Sequence, residues 1–112
     1  MKKIEAIIRP ESVDCVRNAL SLAGVTGIMI SGIEGHGKQK GVVQQWRGEK
    51  YKVELLPKTK IEIIVKDEDL KRISKVIIDS AKTGEIGDGK IFVYPVEDAI
   101  RIRTGENGDN AV

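Results

Sequence analysis

The sequence is poor in the residues that usually carry redox, metal and stacking chemistry. It has one cysteine, Cys15, and one histidine, His36, so it can form no internal disulfide and lacks the Cys and His spacing of a zinc site. Aromatic residues make up only 4% of the chain, and they are Trp46, Tyr51, Phe92 and Tyr94. We therefore expect an aliphatic core, and the cysteine content does not imply an oxidising compartment.

An excess of one charge and long apolar runs are also missing. The 19 basic and 17 acidic side chains leave a net charge of +2, which does not favour a nucleic-acid-coating protein. No apolar run reaches the length of a membrane span, and Glu5 interrupts the short apolar run of MKKIEAII, which argues against a signal peptide. We expect one cytoplasmic domain over residues 1–112, because 40% hydrophobic residues suffice for one core.

An internal repeat is the strongest pattern that is present. Residues 4–27 and 61–84 align without gaps, so that Ile4, Glu5, Ile7, Glu11, Thr26 and Gly27 recur as Ile61, Glu62, Ile64, Glu68, Thr83 and Gly84. Apolar residues at spacings of three and four follow the first strand of each half, as is typical of a helix face. Each half thus predicts a strand, a helix and a second strand. The prediction is an α+β, ferredoxin-like βαββαβ fold, with an antiparallel sheet, two helices on one face and a long protruding loop between strands 2 and 3.

Topology brings three connections of this fold to one end of the sheet. Strands 1 and 2 run in one direction and strands 3 and 4 return, because crossover connections are right-handed. The long loop at residues 36–57, the turn at Arg9 and the glycine segment TGEIGDGK at residues 83–90 therefore open at the same end. Ligands often bind in such clefts.

The glycine segment resembles a phosphate-binding loop without being a Walker A loop. Gly84, Gly89 and Lys90 fit that pattern, but Ile91 stands where a Ser or Thr is required, and the segment leads from a helix into a strand. A glycine-rich turn with a lysine can still hold phosphate through its backbone N–H groups. The alternative is a helix C-cap followed by an ordinary turn.

The long loop adds further cations and two aromatic residues. Lysines in GHGKQKG, at the start of the loop, together with Lys58 and Lys90, would converge on one cleft and favour a polyanion such as a nucleoside triphosphate. Trp46 and Tyr51 would then serve as docking residues on the loop. The alternative for this segment is a β-hairpin that pairs VVQQW with YKVEL.

The C-terminal segment carries a pair of arginines. Arg101 and Arg103 share one face if the segment is extended, as an anion clamp requires. Strand 4 runs away from the glycine segment, so these arginines would serve a neighbouring chain, which predicts an oligomer. The alternative is two surface arginines ahead of a flexible tail at residues 104–112.

Catalytic groups are scarce, and we expect no enzyme. His36 has no Ser or Cys partner placed by the sequence. Asp88 could orient a water molecule, so a weak ATP-hydrolysing enzyme is the alternative. An RNA-binding module is a more distant one, because IEAII and IEIIV in strands 1 and 3 offer no stacking aromatics.

From MKKIEAIIRP to RIRTG the chain resembles the nitrogen regulatory P-II signal proteins, in particular the ammonium-channel-associated type. TGEIGDGKIFV fits the second signature of that family throughout. WRGEKY departs from the first signature, because Trp46 replaces a tyrosine and Glu49 and Lys50 differ, and Lys38 stands where arginine is common. Tyr51 stands where many bacterial members are uridylylated.

The resemblance implies a cytoplasmic homotrimer that binds ATP or ADP in its intersubunit clefts. The implied nucleotide-binding residues are Gly37, Lys38, Gln39, Gly87, Asp88, Gly89 and Lys90, with Arg101 and Arg103 from the adjacent chain, and with Ile7, Met29, Glu62 and Ile64 near the adenine. With Mg²⁺ and ATP, 2-oxoglutarate would bind as well. Gln39 would ligate the metal and contact 2-oxoglutarate together with Lys40, Gly41 and Lys58.

The resemblance also implies an allosteric regulator in nitrogen signal transduction. Residues 37–57 would be the effector loop that inserts into a partner, and 2-oxoglutarate would shift that loop into another conformation. The partners implied are an ammonium transporter, which would recruit the protein to the membrane, and nitrogen-assimilation proteins such as glutamine synthetase or a nitrogenase regulator. No nucleic acid and no direct insertion into the membrane are expected.

Overall fold

The computed structural model describes residues 1–46 and 49–112, with side chains at residues 1–34 and 56–112. The strands are β1 (Lys2–Ile8), β2 (Met29–Trp46), β3 (Glu49–Val65) and β4 (Lys90–Pro95), and the helices are α1 (Val13–Leu22) and α2 (Leu70–Ala81). Short 3₁₀ turns at Pro10–Ser12, Asp67–Asp69 and Gly108–Ala111 complete the secondary structure of the described residues. The order βαββαβ confirms the predicted ferredoxin-like α+β arrangement.

All four strands form one antiparallel sheet in the order β2-β3-β1-β4. β1 pairs with β3 from Lys2↔Val65 to Ile8↔Thr59, and with β4 from Lys2↔Pro95 to Ile7↔Lys90. β1 and β2 therefore run in one direction, and β3 and β4 return, as predicted. In the described part of the chain no helix is long and apolar enough to cross a membrane.

The core lies between the helices and one face of the sheet, and it is aliphatic as expected. Alternate residues of β1 and β3 are buried, because successive side chains in a strand point to opposite faces. Val16 and Leu20 of α1 and Ile73 and Ile77 of α2 pack onto them. These two helix pairs correspond in the repeat, so the repeated spacing does mark the buried helix faces.

β2 and β3 continue far beyond the rest of the sheet as a two-stranded arm. β1 pairs with β3 only as far as Thr59, whereas β2 and β3 pair with each other out to Trp46↔Glu49, with a register shift between Gln39 and Gln44. The predicted long loop at residues 37–57 is thus strand over 37–46 and 49–57. A hairpin was the alternative for this segment, but its register differs from a simple pairing of VVQQW with YKVEL, because Trp46 pairs with Glu49 and Val53 pairs with Lys38. The role of residues 37–57 as an effector loop stays a prediction.

The C-terminal hook, residues 98–112, folds back on itself after β4. The N–H of Gly108 donates to Ala99 O (3.1 Å) and to Asp98 Oδ1 (3.0 Å), and Ile100 bridges to Asn107. Residues 102–104 form a turn closed by the N–H of Gly105 on Arg101 O (2.8 Å). Arg101 and Arg103 therefore lie at a turn, so the extended conformation in which they would share one face is not the one observed. The tail at 104–112 has a defined backbone; its flexibility in solution stays a prediction.

Candidate functional site

The glycine loop, residues 83–90, lies between α2 and β4 and packs against the end of β1. Gly89 has a φ of +106°, and a Cβ at this position would stand 1.7 Å from the carbonyl oxygen of Ile7. Only glycine fits such a close approach to a neighbouring backbone. Gly84 and Gly87 also have positive φ angles, of 90° and 101°. The glycine spacing is therefore required by the path of the loop.

The Asp88 carboxylate holds the loop together from inside. It accepts hydrogen bonds from the N–H groups of Thr83 and Gly84, both at 2.9 Å, and from the Thr83 hydroxyl. These bonds, led by that from the Thr83 hydroxyl, lower the pKa of Asp88 to about 2. A carboxylate with so low a pKa is a poor general base at neutral pH. Asp88 is thus better suited to shaping the loop than to activating water.

Two cations from other elements bind the carbonyl groups of the loop. Arg9, in the turn after β1, donates from Nη2 to Ile86 O (2.9 Å) and from Nε to Asp88 Oδ1 (3.4 Å). Lys58, at the base of the arm, donates from Nζ to Gly87 O (2.7 Å). The carbonyl dipoles at residues 86 and 87 are therefore directed towards side-chain cations.

The N–H groups of residues 86–89 differ from those of Thr83 and Gly84, which bind Asp88. Among the described hydrogen bonds, none has the N–H of residues 86–89 as its donor. Lys90 follows at once, exposed at the start of β4 and paired with Ile7. Adjacent backbone N–H groups beside a lysine can bind an anion such as phosphate.

A second group of predicted residues lies at the opposite end of the sheet. Met29, Ile64 and Arg101 line one groove of about 620 Å³ between the α1–β2 connection, the end of β3 and the C-terminal hook. Arg72 lines it as well and is anchored by its hydrogen bond to Ala23 O (2.8 Å). We call this site the hook groove; it is partly apolar and basic.

The two groups cannot meet within one chain. The glycine loop contacts the Ile8 end of β1, whereas the hook groove reaches Val65, the partner of Lys2. The six residue steps from Lys2 to Ile8 span about 20 Å of extended strand. The structure therefore places Ile7 and Lys58 with Gly87–Lys90, and it places Met29 and Ile64 with Arg101 at the other end.

Glu62 lies on the sheet face opposite the helices. It is paired with Met29 of β2 and with Glu5 of β1. Its carboxylate accepts a hydrogen bond from Lys3 Nζ (3.2 Å), which lowers the pKa of Glu62 and raises that of Lys3. Glu62 is thus bound to Lys3 in the single chain. Arg103 is exposed in the turn of the hook and does not line the groove.

The remaining predicted residues belong to the arm. The backbone of Gly37, Lys38 and Gln39 pairs with Glu54, Val53 and Lys52. Gln39 lies six positions beyond Ile33, the partner of Lys58, which corresponds to about 20 Å of strand. The strand register therefore keeps this part of β2 away from the glycine loop. The side chains of these residues, and of Lys40, Gly41, Trp46 and Tyr51, lie outside the described residues.

Three residues with contacts at these sites were not predicted as site residues from the sequence. Arg9 was predicted only to lie in the turn after strand 1, although its side chain binds residues of the glycine loop that are 77 and 79 positions away in sequence. Thr83 and Glu106 were not considered, although they bind Asp88 and Arg101. The sequence signals for Thr83 were its recurrence from Thr26 in the repeat and its place at the start of TGEIGDGKIFV. Within the described side chains, no cluster of three or more His, Cys, Asp or Glu residues could hold a metal ion.

Comparisons with known proteins agree with this architecture. The profile of the family described as nitrogen regulatory protein P-II matches residues 1–106. The chain is 52% identical over 112 residues to nitrogen regulatory protein P-II 2 of Methanothermobacter thermautotrophicus, covering 100% of this chain and 97% of that one. It is 52% identical to nitrogen regulatory protein P-II of Pasteurella multocida and 53% identical to that of Nostoc punctiforme, with both chains covered in full. All these names are those of regulatory proteins. The chain therefore belongs to the nitrogen regulatory protein P-II family.

Proposed function

We propose that this protein is a nitrogen-regulatory signal protein that senses ATP, ADP and 2-oxoglutarate. Its membership of the P-II family supports the regulatory role. The observation that carries nucleotide binding is the glycine loop, in which Arg9 and Lys58 bind carbonyl groups. Among the described contacts, the N–H groups of residues 86–89 and the side chain of Lys90 have no hydrogen-bond partner. Phosphates would bind those N–H groups and Lys90.

The site is completed by a second chain in a homotrimer. The hook groove carries Met29, Ile64 and Arg101, which the resemblance assigns to the same nucleotide, yet it lies at the far end of the sheet. A neighbouring chain that presents its hook groove to the glycine loop would supply these residues together with Arg103. The distance between the two groups within one chain therefore supports a site that forms between two chains.

The arm is the element that communicates with partners. In the extended arm, Gln39 is far from the glycine loop, so binding of 2-oxoglutarate beside Mg-ATP requires the base of the arm to bend. Gln39 would then hold the Mg²⁺, which neutralises phosphate charge when bound, while Lys40, Gly41 and Lys58 contact the carboxylates of 2-oxoglutarate. Because a partner and the metabolite prefer different conformations of the arm, each weakens binding of the other.

The partners that fit this role are an ammonium transporter, glutamine synthetase or a nitrogenase regulator. Trp46 and Tyr51, near the end of the arm, would be the docking residues, and Tyr51 is the candidate for modification. The protein would work in the cytoplasm and reach the membrane only through the transporter.

Calorimetric titration of 2-oxoglutarate into the protein tests this proposal. We expect binding with Mg-ATP and none with ADP or without nucleotide, because only the γ-phosphate and the metal complete the site. Gln39→Ala should abolish 2-oxoglutarate binding and retain ADP binding, which depends on Lys90 and the glycine loop. Gln45→Ala, another glutamine of the arm, is the control and should change neither. Equal heats in all three conditions would contradict the proposal.

A further inference from the structure

Arg101 is already bound by an anion and a carbonyl of its own chain. Its Nη1 donates to Glu106 Oε1 (3.1 Å) and its Nη2 donates to Asn110 O (3.1 Å). The main chain reinforces this contact, because the N–H of Arg101 donates to Glu106 O (2.8 Å). Both terminal nitrogens that a guanidinium uses to clasp a phosphate are therefore engaged.

The end of the chain also takes up space in the hook groove. Ala111 and Val112 line the same groove as Met29, Ile64 and Arg101. The turn at Gly108–Ala111 directs these last residues back towards the start of β2. The segment that occupies the Arg101 guanidinium is thus the one that narrows the groove beside it.

We infer that residues 106–112 compete with the nucleotide for the hook groove. In this arrangement the Glu106 carboxylate stands in for a phosphate oxygen on Arg101, and Ala111 and Val112 occupy part of the space next to it. An incoming phosphate exchanges with Glu106, and the end of the chain moves out of the groove. The inference rests on the proposed function, and it assigns to the C-terminal segment a regulation of that site.

The exposure of the contact makes this exchange feasible. The side chains of Arg101 and Glu106 are 38% and 48% exposed, and ion pairs of this kind are weak in water. A phosphate with several negative charges makes stronger charge-assisted bonds to the same guanidinium. Loss of Glu106 should therefore strengthen nucleotide binding by about twofold to fivefold, the range expected for an exposed ion pair.

A matched pair of variants tests the competition. Glu106→Ala removes the partner of Arg101. Asp109→Ala removes a carboxylate from the same C-terminal segment, and this carboxylate makes no ion pair among the described contacts. Measured by calorimetry, ATP should bind the Glu106→Ala variant about twofold to fivefold more tightly than the natural chain, and the Asp109→Ala variant equally tightly. ATP should also accelerate hydrogen exchange at the N–H of Arg101, which Glu106 O protects.

Two different failures can be separated. If the natural chain binds ATP but Glu106→Ala binds it no more tightly than Asp109→Ala, the competition is refuted while the proposed function stands. If Glu106→Ala binds ATP more weakly, Glu106 supports Arg101 instead of competing for it, and the inference is again refuted. If the natural chain binds no ATP, both the inference and the proposed function fall.

Discussion

Asp88 illustrates how single residues of the glycine loop acquire their roles from distant parts of the chain. Its carboxylate binds Thr83 and Gly84 within the loop and Arg9 across 79 positions. The sequence alone suggested a carboxylate that could orient water, because it shows neither the Thr83 hydroxyl nor the Arg9 guanidinium beside it. The three-dimensional contacts make Asp88 a structural anion of the loop.

Gly89 should be the least replaceable residue of the loop. Gly89→Ala combines a positive φ with a clash against the Ile7 carbonyl, so we expect a loss of about 3 kcal/mol or more in the free energy of unfolding. Gly84→Ala has a similar φ but open space around its Cβ, and it should cost only about 1–2 kcal/mol. Urea denaturation of both variants measures the difference. Equal losses would mean that the close approach to β1 does not constrain the loop.

The acid sensitivity of the loop should follow from Asp88. Because folding lowers the pKa of Asp88 from 3.8 to about 2, its contribution to stability is fully present above pH 4 and is lost as the pH falls towards 2. The unfolding free energies of the natural chain and of Asp88→Asn should therefore converge over this window. Denaturation at pH 6, 4 and 2.5 tests this. If the difference in unfolding free energy between the two proteins stays constant with pH, the ionised form of Asp88 does not stabilise the fold.

At the scale of elements, the sequence predicts those parts of the fold that have periodic apolar patterns. Val16 and Ile73 occupy equivalent repeat positions, and both are buried, because helical spacing directly reflects one buried face. The C-terminal hook has no such pattern. It depends on Gly105 and Gly108 with positive φ and on the carboxylates of Asp98 and Glu106. Its polar, glycine-rich sequence is also typical of disordered tails.

The arm was hard to predict for a different reason. Its residues between Gly35 and Leu55 are largely polar and glycine-containing, so the alternation that marks a half-buried strand is weak. A hairpin of only two strands is marginally stable. A hairpin and an open loop are therefore close in free energy for such a segment. For the candidate site, topology predicted that Arg9, Lys58 and the glycine loop share one end of the sheet, whereas the contacts of Arg101 could not be foreseen.

The hook should depend on the side chain of Asp98. Its Oδ1 accepts hydrogen bonds from the N–H groups of Ala99 (2.9 Å) and Gly108 (3.0 Å). In Asp98→Ala, amide exchange at Gly108 should be faster by about tenfold or more, since hydrogen bonds to a charged group contribute about 1.5–3 kcal/mol. Exchange in the core strands should not change. Glu97→Ala, an exposed neighbour, is the control; the same acceleration in that variant would rule out a specific role of Asp98.

At the scale of the whole molecule, the glycine loop and the hook groove lie at opposite ends of one sheet, and the face between them carries a charged network. On that face Lys3 and Lys60 pair with Glu62, and Lys3 also contacts Glu5. Their side chains are only partly exposed. We propose that the glycine loop of one chain and the hook groove of another form each nucleotide site, in a trimer of 12.3 kDa chains.

Subunit mixing tests this claim most directly. Lys90→Ala damages the glycine-loop half and Arg103→Ala the hook half, and each variant alone should weaken ATP binding by about 1.5–3 kcal/mol. When the two variants are co-expressed in equal amounts and assemble at random, about a quarter of the sites should combine an intact loop with an intact hook, and these should bind ATP with natural affinity. Calorimetry on the mixed oligomers would then show a distinct tight class of sites. If no tight sites appear in mixed oligomers that have been verified by mass spectrometry, the nucleotide site does not form between chains and the account is contradicted.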